Sequence, residues 1–295
     1  MQITSVIVLA AFAIPTVYGH GVITEVQGAN GVVMPGITVI DGTPRDCSSA
    51  GCGAQADTAI TRKNELGTSK ASALGRTSGG GPVDAAAAVA NFMGGAKNIA
   101  ARDAHMSKRV DFSSFFGGGG AGAGAGAGGG AAGGATGTGV KTVKGTSESG
   151  VAAAAGSGAE SGLPTTADDG TLTMTFHQVN QDGAGPLTAA VDGTSGGTDP
   201  AAFKSAQVVQ NVPGAIAGLS TATSTDFPVK IQMPAGMVCS ATVAGVNNVC
   251  IAKLQNSALA GPFGGSVAFT QSSAAKKRAV EFNFRARRFA RALRD

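Results

Sequence analysis

Residues 171–177 are the stretch that most constrains the fold, because apolar and polar side chains alternate there without a break. Successive side chains of a β-strand point to opposite faces, so this pattern predicts a strand with one buried face. Leu172, Met174 and Phe176 form the apolar face. His177 ends the polar face, and a polar loop begins immediately after it.

The composition favours a mainly β chain over a helical bundle. Among the 295 residues are 47 glycines and no tryptophan, and aromatic side chains account for 5%. Many glycines and few aromatics suit short strands that are joined by turns. Such strands, separated by Gly and Pro, predict an immunoglobulin-like β-sandwich. Besides the strand at residues 171–177, we expect strands at residues 21–27, 31–40, 186–191, 227–233, 237–243, 248–254 and 265–271. We also expect a helix at residues 83–93.

The N-terminus has the pattern of a cleaved secretory signal peptide. An apolar run at residues 6–14 is broken by a proline, and Gly19 offers a small residue at the cleavage position. The run is too short to cross a bilayer, so we expect residues 1–19 to be removed and the protein to be secreted and extracellular. The mature chain would start at His20, and one domain is expected over residues 20–273.

A long segment inside this domain is built largely of Gly, Ala and Thr. The bias is strongest at residues 117–139, and residues 146–162 continue with a similar composition. Such a segment has few apolar side chains to bury and cannot offset the entropy that ordering would cost. We therefore predict that residues 116–162 form a long, disordered Gly/Ala-rich insertion.

The C-terminal tail, residues 274–295, combines a helical pattern with positive charge. Its apolar residues recur at helical spacing on one face, with arginines around them: Phe282, Ala286, Phe289 and Leu293. A basic amphipathic helix of this kind binds acidic membrane or polymer surfaces. The alternatives are a solvated tail and a tail that a secretory protease trims at the dibasic pair, residues 277–278.

Charge is concentrated in this tail rather than spread over the fold. The whole chain has a net charge of +4, whereas residues 276–295 contain eight Lys or Arg against two Asp or Glu. That local charge of +6 leaves about −2 for the rest of the chain. A nucleic-acid footprint would place basic residues across the folded surface, so we expect no nucleic-acid partner. We also expect a monomer.

Four cysteines follow the signal segment, and this even number predicts two disulfide bonds in an oxidising compartment. The natural pairing is local. Cys47 and Cys52 would close a tight loop, and Cys239 and Cys250 lie on strands that the pattern predicts to be neighbours. A zinc site is the alternative, but the four residues are not spaced as two close pairs.

Three histidines are candidate metal ligands: His20, His105 and His177. His105 lies in a charged segment and is interpreted as a surface residue. A free N-terminal His20 would offer its α-amine and its ring, and His177 would complete a set of three nitrogens that copper favours. Gln178 and Asp182 are the nearest candidates to orient a ligand ring or a bound oxygen species.

The remaining ligands of such a copper site are left open by the sequence. Water, Phe263, Phe269 or the carboxylate of Asp182 would take the axial positions. The alternative to a metal site is structural. In that reading His20 is the first residue of a frayed terminus, and His177 ends a strand with a hydrogen bond to a loop carbonyl.

Other catalytic patterns are weak in this sequence. No Gly-x-Ser-x-Gly elbow lies beside His105 or His177, which disfavours a serine hydrolase. The adjacent carboxylates at residues 168–169 lie in a Gly/Thr turn and are interpreted as turn residues rather than an acid/base pair. The glycine run lacks the Gly-Lys-Ser/Thr that would make it a phosphate loop.

Six blocks of the mature chain form a recognisable set: residues 20–23, 28–31, 41–47, 175–186, 211–214 and 260–265. Together they resemble the secreted fungal Egh-type and Gas/Mas-type appressorium virulence proteins. The resemblance covers nearly the whole mature chain, including the Gly/Ala-rich insertion. It implies a role in penetration of a host surface by a fungus, with expression at the infection structure. It implies little about chemistry.

A second, weaker resemblance is to the lytic polysaccharide monooxygenases. These are secreted β-sandwich proteins that begin with His and carry a second His shortly before a Gly-Pro, as His177 stands before residues 185–186 here. The resemblance implies that His20 and His177 bind copper, which would activate oxygen species at an open coordination position and oxidise a polysaccharide or cuticle polymer. The chain differs from the monooxygenases in one respect: they have a tyrosine at the axial position of copper, whereas the only Tyr of this chain lies in the signal segment. The alternative is a non-enzymatic adhesion or copper-handling protein.

Overall fold

The computed structural model describes residues 20–95 and 139–292. The strands within these ranges are β1 (Gly21–Gln27), β2 (Val33–Pro35), β3 (Ala59–Ile60), β4 (Arg76–Thr77), β5 (Gly81–Pro82), β6 (Val140–Lys141), β7 (Thr171–Gln178), β8 (Thr188–Asp192), β9 (Lys204–Gln210), β10 (Thr225–Gln232), β11 (Ala241–Val243), β12 (Val246–Gln255) and β13 (Phe263–Thr270). The α-helices are α1 (Ala85–Phe92), α2 (Gly150–Ala153), α3 (Gly158–Ser161) and α4 (Ser273–Ala292). Short 3₁₀ helices lie at Ala50–Cys52, Pro200–Ala202 and Ile216–Gly218.

The strands form one antiparallel sheet that curls into a half-barrel. Its order is β2-β1-β7-β10-β9-β8-β12-β13-β3-β4-β5, with β11 beside β12 and β6 beside β10. The curl brings β13 against β1. The segment after β2 also contacts β13, since Ile37 N donates a hydrogen bond of 2.8 Å to Ser266 O. At the closest approach, a Cβ on Gly265 would lie 2.7 Å from the Ile23 nitrogen. This contact requires a residue without a side chain.

The prediction of a mainly β fold is confirmed, whereas an immunoglobulin-like β-sandwich is not. Strand β9 pairs with β10 on one side and with β8 on the other. It therefore joins the two halves into one continuous hydrogen-bonded sheet, while a sandwich consists of two separate sheets. Strand propensity and turn spacing are common to both arrangements and do not distinguish them.

Strand β7 has the alternation that its sequence predicts. Leu172, Met174 and Phe176 are fully buried in the main core, and Thr171, Thr173 and Thr175 are half-buried on the other face. Burial of each large apolar side chain stabilises the fold by roughly 1.5–3 kcal/mol. The strand lies between β1 and β10. Its polar face is therefore flanked by the side chains of those two strands.

The expected disorder of residues 116–162 is wrong for its second part. Residues 116–138 lie outside the described residues, but residues 139–162 contain β6, α2 and α3. Asp41 accepts hydrogen bonds from the backbone nitrogens of Val151 at 3.0 Å and Ala152 at 2.7 Å, at the start of α2. Contacts with distant parts of the chain therefore order a segment that has few apolar side chains of its own.

A buried ion-pair cluster fixes the same segment to the rest of the fold. The Arg45 guanidinium donates to both carboxylate oxygens of Asp57, at 3.2 and 2.6 Å, and to Glu148 Oε2 at 3.0 and 2.7 Å. Arg45 and Asp57 are buried, and Glu148 is partly exposed. Burial lowers the pKa of Arg45, but the two carboxylates outweigh it and raise the pKa of Arg45 above its ordinary value.

Both predicted disulfide bonds are present. Cys47 pairs with Cys52, and Cys239 pairs with Cys250. All four cysteines of the chain are thereby used, which rules out the alternative of a cysteine zinc site. The first bond closes the loop after residue 46, and the second joins β12 to the segment before β11.

The C-terminal tail is helical, as its spacing predicts. Helix α4 begins beside Ser272, whose hydroxyl accepts a hydrogen bond from Ala275 N at 3.1 Å. Ala275 and Ala279 are buried against the domain. The Asn283 side chain donates to Gly236 O at 2.8 Å. Across residues 20–95 and 139–292, no helix is both long and apolar enough to span a membrane.

Candidate functional site

His177 lies on β7 between two strands that hold it from both sides. In the antiparallel register its opposite residues are Val22 of β1 and Asp226 of β10. Directly opposite residues of antiparallel strands share a face of the sheet, so these three side chains lie together. His177 is 1% exposed although it lies on the polar face of β7.

The His177 ring has one bonded nitrogen and one open nitrogen. Its Nδ1 lies 2.7 Å from Asp226 Oδ1, whereas its Nε2 is buried and has no hydrogen-bond partner among the described residues. With Nδ1–H donating to the carboxylate, Nε2 presents a lone pair. A buried polar atom without a partner costs about 1–3 kcal/mol. A metal ion bound at Nε2 would satisfy this atom, so the ring fits a metal ligand.

His20 immediately precedes β1 and continues its pairing with β7. Val179 N donates a hydrogen bond of 3.0 Å to His20 O, and Gly21 stands opposite Gln178. His20 is thus level with Val179, two residues beyond His177. Alternate residues of a strand share a face, so the register places the two histidines diagonally on one face of the β1–β7 pair.

His20 is held by contacts of its backbone nitrogen and of its ring. Its backbone nitrogen donates to Asn180 Oδ1 at 2.7 Å, and its ring packs against that of Phe263 with centroids 4.5 Å apart. The residue is 5% exposed in the 295-residue chain. Residues 1–19 lie outside the described residues, so the signal peptide stays a prediction. Cleavage after residue 19 would turn the His20 nitrogen into an α-amine.

The loop after β7 lies directly against His20. A Cβ on Gly183 would lie 1.9 Å from His20 O, so the approach requires glycine. Asn256 connects this loop to Phe263, because its side chain donates to Asp182 O at 3.2 Å and accepts from Phe263 N at 3.0 Å. The loop, His20 and the first residue of β13 therefore form one packed unit.

Asp182 lies in this loop with a carboxylate that is mostly buried. Its Oδ1 has no hydrogen-bond partner among the described residues. Burial raises the pKa of Asp182 above its ordinary value. Within residues 20–95 and 139–292, no three or more His, Cys, Asp or Glu side chains are grouped for metal binding. A metal site there would therefore depend on the two histidines and the amine.

The side chain of Gln178 points to the opposite face of β7 from that of its neighbour His177. Its amide nitrogen donates to Asn180 O at 3.0 Å, Ser220 Oγ at 2.9 Å and Ala222 O at 2.7 Å. These bonds join the loop after β7 to the segment before β10. Gln178 thus supports the loops around the site.

The Asp226 carboxylate, which the sequence analysis did not name, holds the His177 ring. It is 37% exposed and lies at the second position of β10. The sequence pattern predicts that this strand starts at Phe227, two residues after its observed start at Thr225. Alternation from Phe227, which is buried, puts residue 226 on the polar face, but its pairing with β7 is not visible in the sequence.

The phenylalanines that were expected near an axial position have different surroundings. Phe263 contacts the His20 ring. Phe269 lies in the main hydrophobic core, opposite Cys250 on β12. His105 lies outside the described residues.

Comparison with known proteins assigns the chain to a family. The model of the Egh16-like virulence factors matches residues 18–264. The chain is also 58% identical over 302 aligned residues to the appressoria-specific virulence factor GAS2 of Pyricularia oryzae, covering 99% of this chain and 97% of that protein. The chain belongs to the Egh16-like virulence factor family. This confirms the resemblance to appressorium virulence proteins that its sequence blocks indicate.

A second relative of this Egh16-like chain matches a shorter region. It is the appressoria-specific virulence factor GAS1 of Pyricularia oryzae, 42% identical over 106 residues, which are 36% of this chain and 41% of that protein. No solved structure matches the chain. The family match includes His20, His177 and Asp226 and ends before α4 begins. Family membership supports a fungal virulence protein.

Proposed function

We propose that this chain is a secreted virulence factor of a fungal infection structure, and that its mature form binds one copper ion through His20 and His177. The relatives named appressoria-specific virulence factors support the first part. Two disulfide bonds fit a protein that folds in an oxidising compartment.

The observation that carries the copper proposal is the open Nε2 of His177. This nitrogen is buried without a partner among the described residues, while Asp226 fixes the opposite side of the ring. A carboxylate–histidine pair of this kind orients metal ligands and raises their basicity. The α-amine and ring of a terminal His20 would add two nitrogens. Three nitrogen donors suit Cu(II).

The surrounding residues prepare His20 for this role. Asn180 Oδ1 accepts a hydrogen bond from the His20 nitrogen at 2.7 Å and so orients the atom that becomes the amine. Phe263 covers one side of the ring. The close approach of Gly183 limits the space that water can occupy beside the backbone of His20.

The closed setting favours copper binding or handling as the primary activity. His177 is held between β1 and β10 and is 1% exposed, whereas a polymer chain needs an accessible face. Oxidation of a surface polysaccharide or cuticle polymer is the second candidate function. Three nitrogen donors leave coordination positions of copper open, and copper at such a position supplies Lewis-acid and redox chemistry. This candidate rests on the resemblance of His20 and His177 to the copper ligands of the monooxygenases.

A titration of the signal-cleaved protein with Cu(II) tests the proposal. Calorimetry measures the stoichiometry and affinity, and electron paramagnetic resonance identifies the ligand atoms. We expect one Cu(II) per chain and a spectrum with nitrogen ligands. His177→Ala should abolish tight binding, and His105→Ala, which removes the third histidine, is the matched control. Binding that is unaffected by His177→Ala would overturn the site. Oxidation products from a polysaccharide, formed by the wild type and lost in His177→Ala, would establish the second candidate.

A further inference from the structure

The distal half of α4 extends beyond the body of the domain. The helix is 20 residues long, which corresponds to about 30 Å. Its first turns pack through Ala275 and Ala279, and the last fixed point is the Asn283 hydrogen bond to Gly236. Every residue from 284 to 292 is exposed. This distal segment therefore presents its whole circumference to the surroundings.

Apolar side chains continue along α4 after the packed part ends. Ala275, Ala279, Phe282, Ala286 and Phe289 recur at intervals of three and four residues and so form one stripe. Ala275 and Ala279, at the N-terminal end of the stripe, are buried, whereas Phe282 and Phe289 are 51% and 68% exposed. Three large aromatic rings are thus at least half exposed within twenty residues, and exposed apolar surface of this kind marks an interaction site. The third is Phe284, which is 59% exposed.

The same helix carries a strong excess of positive charge. Ser273–Ala292 contains seven basic residues and one acidic residue, Glu281, which gives a net charge of +6. The basic residues are Lys276, Lys277, Arg278, Arg285, Arg287, Arg288 and Arg291. At 100° per residue, Arg287, Arg288 and Arg291 surround Phe284 on the side opposite the apolar stripe. Cationic and aromatic side chains are thus interleaved.

We infer that α4 is a docking surface for an anionic lipid bilayer, on which the helix lies in the plane of the headgroups. Arginines would contact lipid phosphates and carboxylates, and the exposed phenylalanines of the apolar stripe, Phe282 and Phe289, would enter the boundary with the acyl chains. The helix is not apolar enough to cross the bilayer. Attachment is therefore peripheral and reversible, and it is independent of the copper site.

Charge complementarity favours a bilayer over the other occupants of this surface. A second copy of the chain would bring two helices of charge +6 together, which is repulsive. An acidic polysaccharide would match the arginines, but it offers no apolar interior in which the aromatic rings could be buried. An anionic bilayer matches both the charge and the exposed phenylalanines.

Vesicle co-sedimentation of the signal-cleaved, full-length protein tests this inference. The probes are vesicles of phosphatidylcholine alone and of phosphatidylcholine with phosphatidylserine. We expect binding to the anionic vesicles, little binding to the neutral ones, and weaker binding at high salt. Arg287→Gln with Arg288→Gln should weaken binding by about tenfold or more, since each basic residue near such a surface contributes about fivefold. The matched control is Lys63→Gln with Lys144→Gln, two exposed lysines far from α4 in the sequence.

The phenylalanines separate insertion from simple charge attraction. Phe282→Ser with Phe289→Ser, which removes the two exposed rings of the apolar stripe, should also weaken binding by roughly tenfold, because burial of each ring is lost. Both rings are exposed, so the variant should fold, and its unfolding temperature checks this. Leu259→Ser, at a site that is 95% exposed, is the apolar control. Binding that is equal on neutral vesicles, or unchanged by the Phe variant, would overturn the inference. Dimerisation in solution that the Phe variant abolishes would instead assign the face to a second copy.

Discussion

Asp226 lies directly opposite His177 on the adjacent antiparallel strand, and its Oδ1 is 2.7 Å from Nδ1 of that ring. The relationship fixes the ring and decides which nitrogen is left for another partner. Nε2 is that nitrogen, and it is buried. A strand register therefore determines the chemistry that His177 offers.

Asp226→Asn should weaken copper binding about 10- to 100-fold, because a neutral amide supports the ring less well than a carboxylate. Calorimetric titration of the signal-cleaved variant measures this change. Glu160→Gln, which alters an exposed carboxylate elsewhere, should leave the affinity unchanged. Equal affinities for the wild type and Asp226→Asn would show that Asp226 does not support a metal ligand.

Gly183→Ala should destabilise the loop against His20. The added methyl group would lie 1.9 Å from His20 O, so either the loop or the chain terminus must move. Overpacking of this kind costs about 1–3 kcal/mol in the free energy of unfolding. Urea denaturation measures the cost, with Gly51→Ala as a control because its Cβ would have no contact closer than 4.0 Å. A neutral Gly183→Ala variant would argue against a tightly packed loop.

Asp57→Asn should lower the free energy of unfolding by up to about 3 kcal/mol. It removes the fully buried carboxylate that pairs with both ends of the Arg45 guanidinium, and the buried charge is then compensated by Glu148 alone. Glu148→Gln should cost about 1 kcal/mol or less, because this carboxylate is partly exposed. Thermal and urea unfolding of both variants provide the comparison. A larger effect at Glu148 would contradict the assignment of Asp57 as the main partner.

Asp192 should make the stability of the fold depend on acid pH. Burial alone would raise the pKa of Asp192, but hydrogen bonds from Ser195, Thr194 and Gly197 outweigh it and hold the pKa below its ordinary value. Its contribution is therefore complete above the unfolded pKa of about 3.9 and is lost as pH falls through the lower folded pKa. Asp192→Asn should remove about 2 kcal/mol of stability at pH 7.

The pH dependence provides the check on Asp192. The difference in unfolding free energy between wild type and Asp192→Asn should shrink as the pH falls from the unfolded pKa of Asp192 through its lower folded pKa. Asp168→Asn, at an exposed position, serves as the control. A difference that stays constant from pH 7 to pH 2 would show that ionisation of Asp192 is not what stabilises the turn.

The sequence predicts local features that depend on neighbouring residues. The alternation of residues 171–177 is sufficient to define β7, its buried face and the position of His177 at its end. Cysteine spacing likewise predicts both disulfide bonds, and helical spacing predicts α4. Each of these patterns is contained in a short stretch of chain.

Features that depend on distant pairing are not visible in the sequence. Asp226 is 49 residues from His177, and their contact exists because β10 pairs with β7 in one particular register. The order of residues 139–162 depends on Arg45 and Asp41, which lie about a hundred residues earlier. Composition alone predicts disorder there because it does not include these partners.

The central claim is that a terminal His20 and His177 bind copper together. Its most direct test compares Cu(II) affinity of protein that begins at His20 with protein that carries one extra glycine before His20, with both N-termini sequenced. The account predicts tight one-to-one binding by the first protein and its loss in the second, because the added residue converts the α-amine into an amide. Equal binding by the two proteins, or no binding by the protein that begins at His20, would contradict it.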